Sequence, residues 1–260
     1  MLQPKTSLPS APDTSPARLP PADRRLLLEE VVVVLSLSLL ASAVFAIIDL
    51  LSAPLAGISV ALYANVNLAN QLASIVFGVA PVALVIHLAR RSGEGLRPFG
   101  LGTETLRVDA GWGILLGLGV SVVGTGVYLA AVVLKVNRFV VPVPPLHHWW
   151  TMPVLVLGAV QAGLLEEVIV AGYLIRRLRQ TGWSGGAAVA ASAILRGSYH
   201  LYQGWGGFVG NLLLGIAFGS IFLRWRRTWP LVVAHVTVDV LAGVGYIAFR
   251  GHCFFHACVR

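Results

Sequence analysis

Two adjacent carboxylates, Glu166 and Glu167, lie between the apolar runs Met152–Leu165 and Val168–Ile175. An acid at the centre of a bilayer costs about 2.5–3.5 kcal/mol on insertion scales, so such residues usually face the protein interior and work there. The plain alternative is a helix boundary with both acids at an interface. The chain that follows supplies partners: Arg196 and His200, then Asn211, then His235 and Asp239, each within an apolar run. Arg196 and His200 are four residues apart, as are His235 and Asp239, so each pair projects from one helix face. A lone histidine in a span is more often only an interhelical hydrogen-bonder. Here the polar groups gather in four consecutive apolar segments, with almost none in the segments before them. A carboxylate, two histidines and a second carboxylate or carboxamide are what water activation on a carbonyl needs. One group takes a proton from water, and the others stabilise the oxyanion directly or through a metal.

The elements that must position these groups are membrane helices. Hydrophobic residues make up 57% of the 260-residue chain and charged residues 12%, with mean hydropathy +0.80. A soluble domain carries about twice that charged share. The length has room for about seven spans of roughly 20 residues. The expected fold is an all-α polytopic bundle with spans at Val31–Ile48, Leu72–Ala89, about Ala110–Leu134, about Met152–Ile175, about Gly185–Leu201, Phe208–Leu223 and Pro230–Phe249. Residues 1–25 read as a disordered tail, 26–150 as N-terminal transmembrane helices, 151–249 as the catalytic membrane domain, and 250–260 as an extracytoplasmic tail. Ala41-Ser42-Ala43 superficially matches a signal-peptidase site, but the apolar run continues past it, which favours an uncleaved helix. Residues 53–70, with Asn65, Asn67 and Asn70, read as a loop or surface helix. Trp149 and Trp150 have the character of an interfacial anchor, and His147 and His148 of loop residues.

A net charge of +8 would suit nucleic acid, but its distribution follows the positive-inside rule instead. Threading seven spans from a cytoplasmic N-terminus puts 14 of the 19 Lys and Arg residues on the cytoplasmic side, in the tail and in the segments around Arg90–Arg107, Arg176–Arg179 and Arg224–Arg227. Lys135, Arg138, Arg250 and Arg260 fall outside, and Arg196 alone stays within a span. The expectation is a multi-pass plasma-membrane protein whose partners are lipid and a membrane-associated polypeptide, with no nucleic acid. Cys253 and Cys258 then lie outside the cell, where a disulfide persists. A disulfide or two plain thiols suit that tail better than zinc, because adjacent His252 and Cys253 make a poor ligand pair.

The order EEVIVAGYL at 166–174, SYHLYQG at 198–204, GNLLLG at 210–215 and HVTVD at 235–239 resembles the CPBP intramembrane protease family, also called the Abi or CAAX-processing endopeptidase family. The wording RGSYHLYQGWGGFVGN resembles an actinobacterial branch. The resemblance spans about Val154–Tyr246. It implies an intramembrane endopeptidase in which Glu166 activates water with help from His200, Glu167 supports, and His235 and Asp239 hold the oxyanion. Arg196 and Asn211 would be supporting residues. Two departures stand out: the family's EExxxR arginine is Ala171, and the aromatic four residues before its second-motif histidine is Arg196. The lost charge at 171 suggests that Arg196 takes its place beside Glu166 or Glu167. A zinc held by Glu166, His200 and His235 and a metal-free glutamate mechanism are both open. The chain has no HExxH. A non-catalytic scaffold or immunity protein of the same fold is one alternative, and an ion-coupled transporter using the acids as a proton relay is another.

The charge asymmetry sets a topology test. Cysteine-accessibility labelling is expected to modify a cysteine placed in 177–182 from the cytoplasmic side and Cys258 from the outside; labelling of Cys258 only from the cytoplasm would end the seven-span threading.

Overall fold

In lipid every backbone N–H and C=O must be satisfied within the chain, which an apolar sequence achieves by forming helices. The computed structural model describes residues 21–51, 64–134, 136–137, 148–249, 253–254 and 257–258. They form helices α1 (Pro21–Ser36), α2 (Leu39–Leu51), α3 (Ala64–Gly78), α4 (Ala80–Arg91), α5 (Leu106–Val133) and α6 (Thr151–Glu166). A π-helix (Glu167–Leu174) joins α6 to α7 (Ile175–Gln180), and α8 (Gly185–Tyr199), α9 (Trp205–Trp225) and α10 (Trp229–Phe249) follow. The bundle is all-helical apart from a two-residue antiparallel pairing, Cys253–Phe254 with Ala257–Cys258. The side chains of that tail lie outside the described residues, and with them the disulfide and zinc expectations.

Among the described residues, five helices are long and apolar enough to cross a membrane: Leu68–Arg91, Leu106–Ala131, Thr151–Gln180, Trp205–Trp225 and Trp229–Ala248. The other two expected spans are shorter pieces. Val31–Ile48 is divided between α1 and α2, which meet at Leu37–Ser38. There the Ser38 hydroxyl donates to the Val34 carbonyl at 2.7 Å, a side-chain bond that competes with the helix ladder and bends it. Helix α8 has 15 residues, about 22 Å at 1.5 Å per residue, short of a hydrocarbon core of about 30 Å. It packs against α9, α2 and the π-helix rather than standing alone in lipid. Of the tail expected to be disordered, residues 21–25 are the first turns of α1, and 1–20 lie outside the described residues. Asn65, Asn67 and Asn70 sit on α3, which runs on into a span through Val79; Pro81, lacking an N–H, marks the start of α4.

Helix Thr151–Gln180 is the centre of the bundle. More than half of its most apolar window, 56%, is buried, against 11–28% for the other four spans. Helix α10 packs on α5 and α6, and α8 packs on α9. Glycine makes these approaches possible: a Cβ on Gly113 of α5 would lie 2.5 Å from Val233 Cβ of α10, and one on Gly163 would lie 3.1 Å from the Val232 carbonyl. Buried Val168, Ile169, Val170, Tyr173 and Ile175 of the central helix join Phe218, Phe222, Leu231 and Ala234 in one apolar core.

One end of the bundle is tied by ions. Arg177, 1% exposed, pairs with Glu30 of α1 at 3.2 Å and with Glu94 of the turn after α4. Arg176 reaches Glu94 at 2.5 Å, and Gln180 donates to it at 3.1 Å. The Tyr173 hydroxyl donates to Glu30 at 2.8 Å, and the Arg177 guanidinium lies 5.0 Å from the Phe99 ring centroid. Three basic segments that threading put on one side thus share one end of the molecule with the turn at Thr228, whose N–H donates to Gly100 O at 2.9 Å.

Burial alone would raise the Glu94 carboxyl, but hydrogen bonds from Arg177 and Arg176 pull it down to about 2. A depressed carboxyl stabilises the fold above its unfolded pKa near 4.5 and ceases to do so as pH falls through about 2. Glu94→Gln is therefore expected to lower the thermal midpoint at neutral pH, with the gap to wild type closing between pH 4.5 and 2. A gap that is constant across that window would remove the ionic account.

Candidate active site

The two acids come from the joint between α6 and the π-helix. A π-helix widens the turn to i→i+5 bonding and is frequent at functional sites. Here it begins at Glu167, and its Val170 carbonyl accepts the Ser192 hydroxyl of α8 at 2.9 Å. The adjacent acids meet different partners, as neighbours about 100° apart on a helix must. Glu166 Oε2 accepts the Tyr199 hydroxyl at 2.7 Å and lies 3.8 Å from His200 Nε2. Glu167, fully buried, takes Arg196 Nη1 on Oε1 at 2.7 Å and lies 2.7 Å from His235 Nδ1.

Arg196 is common to both acids. Its Nη2 lies 3.5 Å from Glu166 Oε2 and 3.2 Å from His235 Nδ1. A guanidinium only donates, so Nδ1 cannot serve both neighbours. The shorter contact assigns the Nδ1 proton to Glu167, leaving Nε2 turned towards Asp239 at 3.5 Å. Arg196 is 2% exposed, stacked 5.4 Å from the Phe218 ring. Room for it comes from Gly215, where a Cβ would lie 2.8 Å from Ala193 Cα and 3.3 Å from Arg196 Cδ.

The structure thus brings Glu166, Glu167, Arg196, His200, His235 and Asp239 together from three helical stretches. Asn211 is otherwise engaged: its amide donates to Gly207 O of its own helix at 3.0 Å. Tyr199 is the site residue that sequence reasoning left unassigned. A phenol beside the motif histidine, inside an apolar segment and in need of a partner, was the available signal. Among the described residues, both ring nitrogens of His200 and Glu167 Oε2 are buried without a hydrogen-bond partner. Buried polar atoms of that kind call for a partner, and at this cluster a water molecule is of the right chemistry.

Residues 148–241 match the family model of type II CAAX prenyl endopeptidase Rce1-like proteins. This stretch is similar to the Rce1-like peptidases of the CPBP family. The match encloses every residue of the site described above. No curated protein and no solved structure matches the chain.

The departures at 171 and 196 both fall within the matched stretch. Ala171 is 3% exposed inside the π-helix, and the cation that meets the acids arrives from α8 as Arg196. The same guanidinium bears on metal binding. The donor atoms of Glu166, Glu167 and His235 lie within 4.8 Å of one another, a density that a metal ion would suit; His200 is not in that group. Arg196 contacts all three, however, at 3.5, 2.7 and 3.2 Å. A fixed positive charge inside the donor set opposes a divalent cation there, so the residues present do not fit a resident zinc.

Removing one partner of a buried ion pair costs about 3–5 kcal/mol because it strands the other. Arg196→Ala is expected to destabilise the protein by about that amount in detergent unfolding, and Arg196→Met/Glu167→Gln to recover part of the loss. A silent Arg196→Ala would show that the guanidinium does not hold the acids.

Proposed function

We propose that this multi-pass membrane protein is an intramembrane endopeptidase that hydrolyses a peptide bond of a membrane-associated polypeptide with a water activated by Glu166. The carrying observation is the facing pair of Glu166 and His200, 3.8 Å apart, with both imidazole nitrogens buried and otherwise partnerless. At that separation one water can lie about 2.8 Å from both. The peptidase family matched by 148–241 supports the reaction class. The scaffold reading rests on Ala171, but the acids have a cation without it.

In this reading Glu166 takes a proton from the water on Oε2, the oxygen that the Tyr199 hydroxyl holds in place 3.8 Å from His200 Nε2. The hydroxide adds to the carbonyl carbon of the substrate. His235, anchored at Nδ1 by Glu167 and flanked by Asp239, donates from Nε2 to the oxyanion in its doubly protonated form. Collapse breaks the C–N bond, and the proton held by Glu166 passes to the departing nitrogen, through His200 where the geometry requires it. Arg196 takes no proton; it offsets the charge of two acids in an apolar bundle. No metal enters these steps. The plasma membrane with a cytoplasmic N-terminus is the placement we propose, on the basic-residue asymmetry.

Purified protein in nanodiscs, incubated with membrane-anchored polypeptides, is expected to create new termini detectable by mass spectrometry. Glu166→Gln should lower the rate by about 100-fold or more, the usual scale for a lost general base, and chelators should leave wild type unchanged. Equal cleavage by wild type and Glu166→Gln rejects the base assignment; loss with chelator and return with zinc rejects the metal-free route.

A further inference from the structure

Helix α9 ends on Arg226, whose φ of 56° makes it the one non-glycine residue in the left-handed region among the described residues. Glycine is the usual occupant of that position, since a Cβ is disfavoured there. The turn itself needs only the backbone: Arg226 N–H donates to Phe222 O at 2.7 Å. The side chain must therefore be explained by something other than the turn.

Its surroundings are basic. The neighbouring arginines have their own acids: Arg97 meets Glu104 at 2.5 Å, Arg227 pairs with buried Asp109, and Arg176 meets Glu94 at 2.5 Å. Arg226 has no carboxylate within 4 Å among the described residues. Burial first, and then the like charges of Arg179 and Arg176, lower its pKa. The guanidinium thus lacks a countercharge where one is most needed. It borders a pocket of about 290 Å³ that Arg97, Gly100, Gly102, Glu104, Trp225 and Arg227 also line, with the Glu104 carboxylate engaged by Arg97.

The neighbouring aromatics indicate where that pocket sits. Trp225 packs at 5.9 Å against Trp112, and both rings are exposed on the outer faces of the two spans to which they belong. Exposed tryptophans near the ends of spans lie at headgroup level. A phosphate beside them would be at the depth where a phospholipid carries its own, with acyl chains free to follow the α5 and α9 faces.

We propose that Arg226, with Arg97 and Arg227 at its sides, binds the phosphate of an anionic phospholipid at this end of the bundle. The site is separate from the acids of the central helix and does not depend on the peptidase reading. Free phosphate offers the same chemistry without the acyl chains, and the test separates the two.

The full chain, purified in a neutral detergent, would be titrated with phosphatidylglycerol, phosphatidylcholine or millimolar inorganic phosphate, reading the thermal midpoint and the lipid retained in native mass spectrometry. Phosphatidylglycerol is expected to raise the midpoint by several degrees and to be retained; phosphatidylcholine and inorganic phosphate are not. Arg226→Gly relieves the left-handed backbone, so its lipid-free midpoint should equal or exceed that of wild type while the phosphatidylglycerol increment disappears. Arg226→Asn, which also tolerates this backbone, should behave alike. An undiminished increment in both variants overturns the proposal, as does an equal increment with phosphatidylcholine. Full stabilisation by inorganic phosphate alone overturns the lipid assignment.

Discussion

The contact on which the site depends is a guanidinium held between two carboxylates inside an apolar bundle. Glu166 and Glu167 are adjacent, 9% and 0% exposed, and two negative charges so placed repel each other where little solvent screens them. Arg196 answers both, at 2.7 Å from Glu167 and 3.5 Å from Glu166. The surrounding packing is arranged around that demand. Ala193 and Gly215 let α8 and α9 approach, leaving a slot for the arginine stem, and Phe218 covers its face. Replacing these small residues with larger ones would displace the cation before it disturbed any catalytic group.

The central helix carries two charge networks at different depths. Its middle holds the acids; its end, about ten residues and roughly 15 Å further along, holds Arg176 and Arg177. The end network ties α1 and the turn after α4 to the central helix through Glu30 and Glu94. It therefore fixes one end of the helix whose middle carries the two acids. Sites built on rigid elements hold their geometry better than sites on loops, and here a single buried helix supplies both the anchor and the acids. The π-helix between them is the one place where this element departs from regularity, and it starts at Glu167.

Within the site the division of partners gives each acid a separate task. Glu166 has a phenol on one oxygen and faces an imidazole with no other partner, the setting for a proton acceptor that must stay mobile towards water. Glu167 is saturated on Oε1 by a cation and a histidine, the setting for a fixed orienting group. The His235 ring is in turn oriented by that contact, so Glu167 acts on the imidazole as well as on the arginine.

Composition and spacing determined that this chain is a helical membrane bundle and that its candidate site residues lie in the C-terminal part. Apolar runs of about 20 residues leave no other fold open in lipid. The i,i+4 spacing of Arg196 with His200 and of His235 with Asp239 is a local property that any helix expresses. The need of Arg196 for an acidic partner was equally legible, because an unpaired arginine in a span is costly. What tertiary structure decided is everything that depends on which faces meet. The sequence carried no mark of the π-helix, which packs against α8 and the turns at Phe99 and Thr228. Tyr199 acquired its role only once α8 ended beside Glu166, and Asn211, promising as a polar residue in a span, turned its amide back onto its own helix. The first span broke at Ser38, and α8 proved too short to stand alone in lipid, because neighbours cover what hydropathy counts as exposed. Residue type limits the chemistry a chain can do, but a hydrogen bond between helices far apart in sequence exists only where the fold brings the two atoms within about 3 Å.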